Sequence, residues 1–305
     1  MKKKLKKILP GKIKYLLNCL RKVKDEFEHE PLSDSPHGHF YSPIVSKKEL
    51  QEFEEQIWED DIKNTIQGIN LNTEYQLGLV KKFEDYYCEM PFEYEKTNEH
   101  RYCFNNTSYE YTDAIMLYSM IRHFKPKNIV EIGSGFSSAA MLDTRDIFNM
   151  EINIQFIEPY PKLLYSLFKE YDKDKCKVWD TKVQNVSLKE FSKLRENDIL
   201  FIDSSHVSKT GSDVNFEIFK ILPNLNSGVI IHFHDVFYPF EYPKEWVYAG
   251  RNWNEDYFLR AFLSYNIEFE ILLFSQYVHK YHKSSFENMP LTYKNTGGNL
   301  WIRKK

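Results

Sequence analysis

The sequence predicts an α/β fold with a mostly parallel sheet that carries helices on both faces. Two observations support this prediction. From about residue 110 onward, short apolar runs of β-type composition alternate with segments of helix length. The first of these runs, residues 128–132, ends in a glycine-containing turn that leads directly into a helix-type segment. This order is expected where a parallel strand passes into its crossover helix.

The expected elements follow one another at regular intervals. A helix is predicted over 113–124, because Pro126 cannot continue it. Helical patterns at 47–65 and 73–87 predict a mostly helical N-terminal extension, and a further helix is expected at 254–264. The predicted strands are 128–132, 152–157, 176–179, 198–203, 228–233, 268–274 and 298–303.

Length and composition indicate a globular protein with one α/β domain of ordinary size. The 305 residues suffice for that domain and an extension, and 42% hydrophobic with 28% charged residues is typical of globular chains. A net charge of −3 gives no reason to expect nucleic acid as a partner. The four cysteines show no C-x-x-C pairing, which favours reduced thiols and a cytoplasmic location.

We divide the chain into a basic segment, 1–24, an extension, 25–108, that is a candidate cover for the active site, and the α/β domain, 109–305. Residues 1–24 contain ten Lys or Arg and no acidic residue, with Leu and Ile at helical spacing. Such a segment predicts a basic amphipathic helix that contacts an anionic membrane, at the inner membrane face. A helix packed on the domain and a mobile tail are the alternatives.

The turn after the first strand carries the strongest functional signal. Gly133 and Gly135 have no Cβ, so together with Ser134 they bring backbone N–H groups close to a nucleotide-like ligand. Glu158 ends the next strand, where a carboxylate suits a ribose diol. This spacing fits a dinucleotide as well as S-adenosylmethionine. Glu131, two residues before the first glycine, favours a ligand with a cationic amine.

At these residues the chain resembles the class I S-adenosylmethionine-dependent methyltransferases, whose first motif reads acid-x-Gly-x-Gly. Ser137 stands where the third small residue is more often glycine. The resemblance implies S-adenosylmethionine as cofactor. It also implies a Rossmann-like sheet of seven strands, in which the last strand inserts antiparallel beside the fifth. Such enzymes commonly place a polar contact to adenine near residues 183–186, which makes Asn185 a candidate, with Asp180 behind it.

Four polar side chains follow the fourth and fifth strands. Asp203 and His206 come after one strand, and His234 and Asp235 end the next. In open α/β sheets the ligand crevice lies at the carboxyl ends of the strands, so these groups are expected to converge. Asp203, His234 and Asp235 are candidate ligands of Mg²⁺ or another divalent cation. Alternatively, Asp235 caps the following turn and the histidines form local hydrogen bonds.

The same residues resemble those of the catechol-type and macrolide sugar O-methyltransferases, which carry a metal-binding aspartate after the fourth strand and an acidic pair after the fifth. Asp203 matches the first, and His234 departs from the second. His206 occupies the position of a catalytic lysine in the catechol type, so the resemblance makes it a candidate base, with Asp203 beside it. The resemblance extends, over most of the chain, to a bacterial group of methyltransferases of unassigned substrate.

The predicted function is therefore S-adenosylmethionine-dependent methylation of a hydroxyl on a small molecule or a glycan. Asp203-Ser204-Ser205-His206 replaces the Asn/Asp-Pro-Pro-Tyr motif of many N-methyltransferases, which favours an oxygen acceptor. The aromatic segment 237–246 is expected to line the acceptor site. The alternatives are a nicotinamide-dependent Rossmann oxidoreductase, disfavoured by Glu131, and a non-catalytic binding protein of the same fold.

Overall fold

A computed structural model describes residues 34–58 and 64–305. The basic segment at residues 1–24, and with it the expected membrane contact, lies outside these ranges. No helix within them is long and apolar enough to span a membrane. The chain divides into two compact units, Met1–Glu54 and Glu55–Lys305.

The described part of the first unit is a turn-rich loop followed by helix α1 (Lys47–Glu52). The hydroxyl of Ser46 accepts a hydrogen bond from the backbone N–H of Glu49 at 3.1 Å and so caps this helix. Helix α2 (Glu54–Trp58) follows after a bend at Phe53. The single helix predicted over 47–65 is therefore two short helices as far as residue 58, and residues 59–63 lie outside the described ranges.

The second unit is built on a seven-stranded sheet. Its strands are β1 (Asn128–Ile132), β2 (Asn153–Ile157), β3 (Lys177–Trp179), β4 (Ile199–Ile202), β5 (Ile230–His234), β6 (Phe269–Phe274) and β7 (Asn299–Lys304). The strand order is β3-β2-β1-β4-β5-β7-β6, with β1 to β5 parallel and β7 antiparallel to both of its neighbours. This order confirms the predicted fold, including the antiparallel last strand beside the fifth.

Helices surround the sheet. They are α3 (Thr73–Tyr87), α4 (Tyr111–Phe124), α5 (Phe136–Ile147), α6 (Lys162–Leu167), α7 (Asp172–Lys175), α8 (Leu188–Phe191), α9 (Asp213–Phe216), α10 (Lys244–Tyr248), α11 (Glu255–Leu263) and α12 (Ser275–Tyr281). In α4 every residue from 112 to 121 is buried, as expected for a helix that packs on several sides within the core. The predicted helices at 113–124, 73–87 and 254–264 correspond to α4, α3 and α11.

Residues 64–108, which the sequence places in an N-terminal extension, belong to the same compact unit as the sheet. Arg101 ties their last part to α5 and α7. Its buried guanidinium donates hydrogen bonds to Asp143 at 2.8 Å, Asp146 at 2.7 Å and Asp172 at 2.8 Å. Loss of one partner in such a buried network leaves charges without compensation. The segment before α4 is thus fixed against the domain.

The strand order also determines where a ligand can bind. From β1 the chain moves through β2 and β3 toward one edge, and it then returns to β4 and continues to β5 on the other side. The carboxyl ends of β1 and β4 therefore border the crevice of an open α/β sheet. Gly133 follows β1, Glu158 follows β2, Asp203 follows β4 and Asp235 follows β5. The candidate residues converge at this edge.

Candidate active site

A cavity of about 410 Å³ lies at the carboxyl ends of β1, β2 and β4. Gly133, Glu158, Tyr160 and Asp203 line it, together with the segment Lys182–Gln184. Two of the predicted cofactor residues, Gly133 and Glu158, therefore reach the same cavity.

Glu158 is held by the backbone at the entrance of this cavity. One carboxylate oxygen accepts the N–H of Ser134 at 3.0 Å, and the other accepts the N–H of Tyr160 at 2.7 Å. Each oxygen keeps a further lone pair, so the carboxylate can still accept hydrogen bonds from two ribose hydroxyls. The hydroxyl of Ser134 is buried and has no hydrogen-bond partner among the described residues.

The two glycines of the turn differ in backbone conformation and in the space available for a side chain. Gly133 has φ +77°, and a Cβ there would lie 1.8 Å from the carbonyl oxygen of Asp203. Gly135 has an extended φ of −177°, and its Cβ would make only an ordinary 3.4 Å contact with Leu163. Gly135 is not among the residues that line the cavity. The close approach of β1 and β4 therefore explains Gly133, whereas the contact expected between Gly135 and the cofactor stays a prediction.

Glu131 lies in an environment different from the one expected. Its side chain is fully buried, and its two oxygens accept hydrogen bonds from the hydroxyls of Ser137 and Ser138. Burial raises the pKa of Glu131 to about 8, against the opposing effect of the two serine hydroxyls. The carboxyl group thus joins the end of β1 to the first turn of α5. Direct contact with a cofactor amine stays a prediction.

Asn185 does not line the cavity. It ends the short 3₁₀ turn Val183–Asn185, and its side-chain N–H₂ donates to the hydroxyl of Thr181 at 2.9 Å. The wall is formed by Lys182, Val183 and Gln184. The contact expected between Asn185 and adenine stays a prediction, and Lys182 to Gln184 are the residues of this segment that line the cavity.

His206 occupies the centre of the candidate site. Its Nδ1 lies 2.9 Å from a carboxylate oxygen of Glu255, and its Nε2 lies 3.3 Å from Asp203 and 3.9 Å from Asp235. The ring packs 4.4 Å from the ring of Trp253, and only 5% of the side chain is exposed. The structure thus brings Asp203, His206 and Asp235 close together.

Glu255 is the residue of this cluster that the sequence did not reveal. It begins α11, 49 positions after His206, and its side chain is 1% exposed. A carboxylate on one ring nitrogen fixes the ring orientation and the tautomer, which leaves the other nitrogen for chemistry. No motif marks Glu255, because its role depends on where the loop before α11 returns to the sheet.

Neighbouring charges shift the protonation of the cluster. Burial lowers the pKa of His206, but hydrogen bonds with Asp203 and Glu255 outweigh it and raise the pKa well above its usual range. Burial opposes ionisation of Asp203, yet the nearby His234 and His206 hold the pKa of that carboxyl below its usual value. The pKa of Asp235 is raised, mainly by burial.

A second cavity, of about 310 Å³, begins at His234 and Asp235. Phe237 and Trp246, from the aromatic segment expected to bind the acceptor, also line it. Asp203 lines the first cavity and Asp235 the second, and Nε2 of His206 faces both carboxylates. His206 therefore lies between a lining residue of the first cavity and a lining residue of the second.

The predicted metal ligands are arranged differently from a metal site. His234 Nε2 lies 3.6 Å from Asp235, and His206 Nε2 approaches both aspartates. Within residues 34–58 and 64–305, no group of three or more His, Cys, Asp or Glu side chains is placed to hold a metal ion. Imidazoles thus occupy the positions beside Asp203 and Asp235. Metal binding stays a prediction.

Comparison with known proteins identifies a methyltransferase domain in this chain. Residues 130–236 match the profile of a methyltransferase domain family. An uncharacterised protein of Archaeoglobus fulgidus is 38% identical over 183 residues, which cover 57% of this chain and 81% of that protein.

Several solved structures have a similar chain course, and two methyltransferases among them can be compared with this chain by identity, coverage and TM-score. One is the SAH-bound methyltransferase PaMTH1 of Podospora anserina, with 17% identity, a TM-score of 0.45, and coverage of 79% of this chain and 99% of that one. Another is the O-methyltransferase of Bacillus cereus in complex with SAH, with 12% identity, a TM-score of 0.40, and coverage of 84% and 97%.

Proposed function

Because the chain belongs to the class I S-adenosylmethionine-dependent methyltransferases, we propose that it methylates a hydroxyl oxygen of a small molecule or a glycan. The observation that carries this proposal is the position of His206 between Asp203, which lines the first cavity, and Asp235, which lines the second. A hydroxyl nucleophile must lose its proton as it attacks, and a positioned imidazole is suited to receive that proton. The acceptor enters the second cavity.

The residues of the first cavity have separate roles in this proposal. S-adenosylmethionine, when bound, supplies an electrophilic methyl group. The carboxylate of Glu158 accepts hydrogen bonds from the ribose, and the wall at Val183 and Gln184 borders the base. The tight turn at Gly133 lets the backbone approach the ligand. Rate acceleration then comes mainly from alignment of the acceptor oxygen with the methyl group.

Proton removal is assigned to Nε2 of His206, with Glu255 as the residue that positions the ring. The raised pKa of His206 has a consequence for this step. While Nε2 of His206 carries its own proton, it cannot accept the proton of the acceptor hydroxyl. The ring must therefore be deprotonated before it can act as a base. Turnover should therefore rise with pH through a pKa that lies above the usual histidine range.

The decisive experiment compares cofactor binding with methyl transfer. Calorimetry measures S-adenosylhomocysteine binding, and labelled S-adenosylmethionine measures transfer to a panel of glycosides, phenols and amines. His206→Asn should bind S-adenosylhomocysteine as the wild type does, and it should lose about 100-fold or more in turnover. His123→Asn, on the far end of α4, is the matched control and should retain full turnover.

Three results would contradict the proposal. They are a wild-type protein that does not bind S-adenosylhomocysteine, transfer to amines in preference to hydroxyls, and full turnover in the His206 variant.

A further inference from the structure

The second cavity is more polar than a typical small-molecule pocket. Eight of its twelve lining residues are polar or charged, and aromatic contact comes from Phe237 and Trp246. Pockets that take apolar, drug-like molecules are lined mainly by apolar and aromatic side chains. An acceptor that is itself a flat aromatic ring would leave most of these polar groups without partners, and unpaired buried polar groups weaken binding.

The charge of this cavity is negative. Glu110, Asp113 and Asp235 contribute carboxylates, His234 contributes an imidazole, and no Lys or Arg is among the described residues that line the cavity. A phosphate, sulfate or carboxylate on the acceptor would meet like charge without a cationic partner. Anionic acceptors are therefore disfavoured.

One of these carboxylates is held rigidly. An oxygen of Asp113, near the start of α4, accepts the N–H of Gly298 at 3.0 Å and the side-chain N–H₂ of Asn299 at 2.7 Å. Only 7% of Asp113 is exposed and the residue lines the cavity, so its carboxylate is held there in a fixed position. Carboxylates in fixed positions accept hydrogen bonds from hydroxyl groups.

Trp246 forms a flat apolar wall opposite these polar groups. Its indole packs edge-on against Phe237 at 4.9 Å and against Trp253 at 5.5 Å. The guanidinium of Arg251 lies 3.9 Å from the centre of the indole ring and helps to hold it in place. A rigid indole offers apolar contact to the C–H face of a ring that carries its hydroxyls at the edges.

From this arrangement we infer that the second cavity takes a polyhydroxylated ring without anionic groups, of the kind found in a neutral or amino sugar unit, as the methyl acceptor. This inference rests on the proposed function and names the acceptor class within it. Hydroxyls at the ring edge would donate to Asp113 and Glu110, while the ring face lies on Trp246. One hydroxyl then points toward Asp235 and His206.

Saturation-transfer NMR on the full chain with S-adenosylhomocysteine tests the inference. The probes are a set of methyl hexopyranosides, glucose 6-phosphate, glucosamine and catechol. The neutral glycosides and glucosamine should bind saturably and more tightly than glucose 6-phosphate and catechol. Trp246→Ala should weaken glycoside binding by about tenfold, as expected for the loss of one aromatic contact surface. Phe219→Ala, at an exposed aromatic residue outside the cavity, should leave it unchanged.

A charge reversal tests the electrostatic part separately. Glu110→Lys should increase glucose 6-phosphate binding relative to neutral glycosides, because it places a cation at the rim of the cavity. The inference is overturned if no neutral glycoside binds, if catechol or the phosphate probe binds more tightly to the wild type, or if Trp246→Ala has no effect. A protein that binds S-adenosylhomocysteine but no glycoside keeps the proposed function and loses this inference.

Discussion

Replacement of Glu131 by glutamine preserves the size of the side chain and removes a carboxyl group that is buried beneath the glycine turn. The side chain is fully buried, and its pKa is raised from 4.5 to about 8, chiefly by burial. In the unfolded chain the carboxyl is surrounded by water and ionises near its ordinary value. Between these two pKa values the folded chain holds a proton that the unfolded chain has already released.

The sign and size of the effect follow from proton linkage. Because the folded state binds more protons than the unfolded state in this range, the free energy of unfolding falls as pH rises. The two pKa values differ by about 3.5, which corresponds to about 5 kcal/mol in total. About 3 kcal/mol of this is lost between roughly pH 5.5 and pH 8. Glutamine has no ionisable carboxyl group, so the free energy of unfolding of Glu131→Gln should not show this decrease.

Urea unfolding at a series of pH values measures the difference. The unfolding free energy of Glu131→Gln, relative to the wild type, should increase by about 3 kcal/mol from roughly pH 5.5 to pH 8. Other buried acids are common to both proteins and cancel in this comparison. Glu151→Gln, at an exposed position in the loop before β2, should follow the wild type throughout.

Parallel curves for the wild type and Glu131→Gln would refute this reasoning. They would mean that Glu131 ionises equally easily in the folded and the unfolded chain. The buried link between β1 and α5 would then have to be abandoned.

The remaining predictions concern the site and the N-terminus. Gly133→Ala should destabilise the fold and abolish S-adenosylhomocysteine binding in calorimetry, because its Cβ would overlap the carbonyl of Asp203, whereas Gly135→Ala should cost little in either measurement. Glu255→Gln should lower kcat by roughly 10- to 100-fold with KM little changed, because it disturbs only the ring that removes the proton. If a divalent cation is required, excess chelator should abolish turnover and Mg²⁺ or Mn²⁺ should restore it, whereas full activity in chelator would reject the metal. The full chain should sediment with anionic vesicles at low salt and a chain that starts at Asp25 should not, because the basic residues of 1–24 are then missing.

The sheet was predictable because its strands are buried on both faces. In β4 and β5 every residue is buried, and the sequence shows this as a continuous apolar run in β4 and as an apolar run that includes His232 and His234 in β5. Strand boundaries differ by one or two residues, since the ends are set by pairing with neighbours. The predicted helix at 47–65 fails at Phe53, because a periodic pattern does not reveal a bend between two short helices.

The site was predictable where it depends on strand ends and was missed where it depends on distant loops. Asp203 and Asp235 follow directly from the rule that parallel strands present their carboxyl ends at one edge. Glu131 was assigned to the ligand because its position in the motif is suggestive. Its burial under Ser137 and Ser138 is a packing result that no spacing rule contains.

The backbone at the centre of the site gives an independent reason to regard His206 as functional. His206 and Asp235 have φ values of +58° and +54°, in a region that side-chain-bearing residues rarely adopt. Such conformations persist only where the surroundings enforce them, and they concentrate at functional sites. At His206 the carbonyl oxygen accepts the N–H groups of Asn254 and Glu255 at 3.0 and 3.2 Å. The segment that positions the imidazole through the side chain of Glu255 therefore also stabilises the strained backbone that carries it. His206→Gly would relieve the strain, but it would also leave the buried carboxylate of Glu255 without its partner, so a variant with lower stability and no turnover is the expected result.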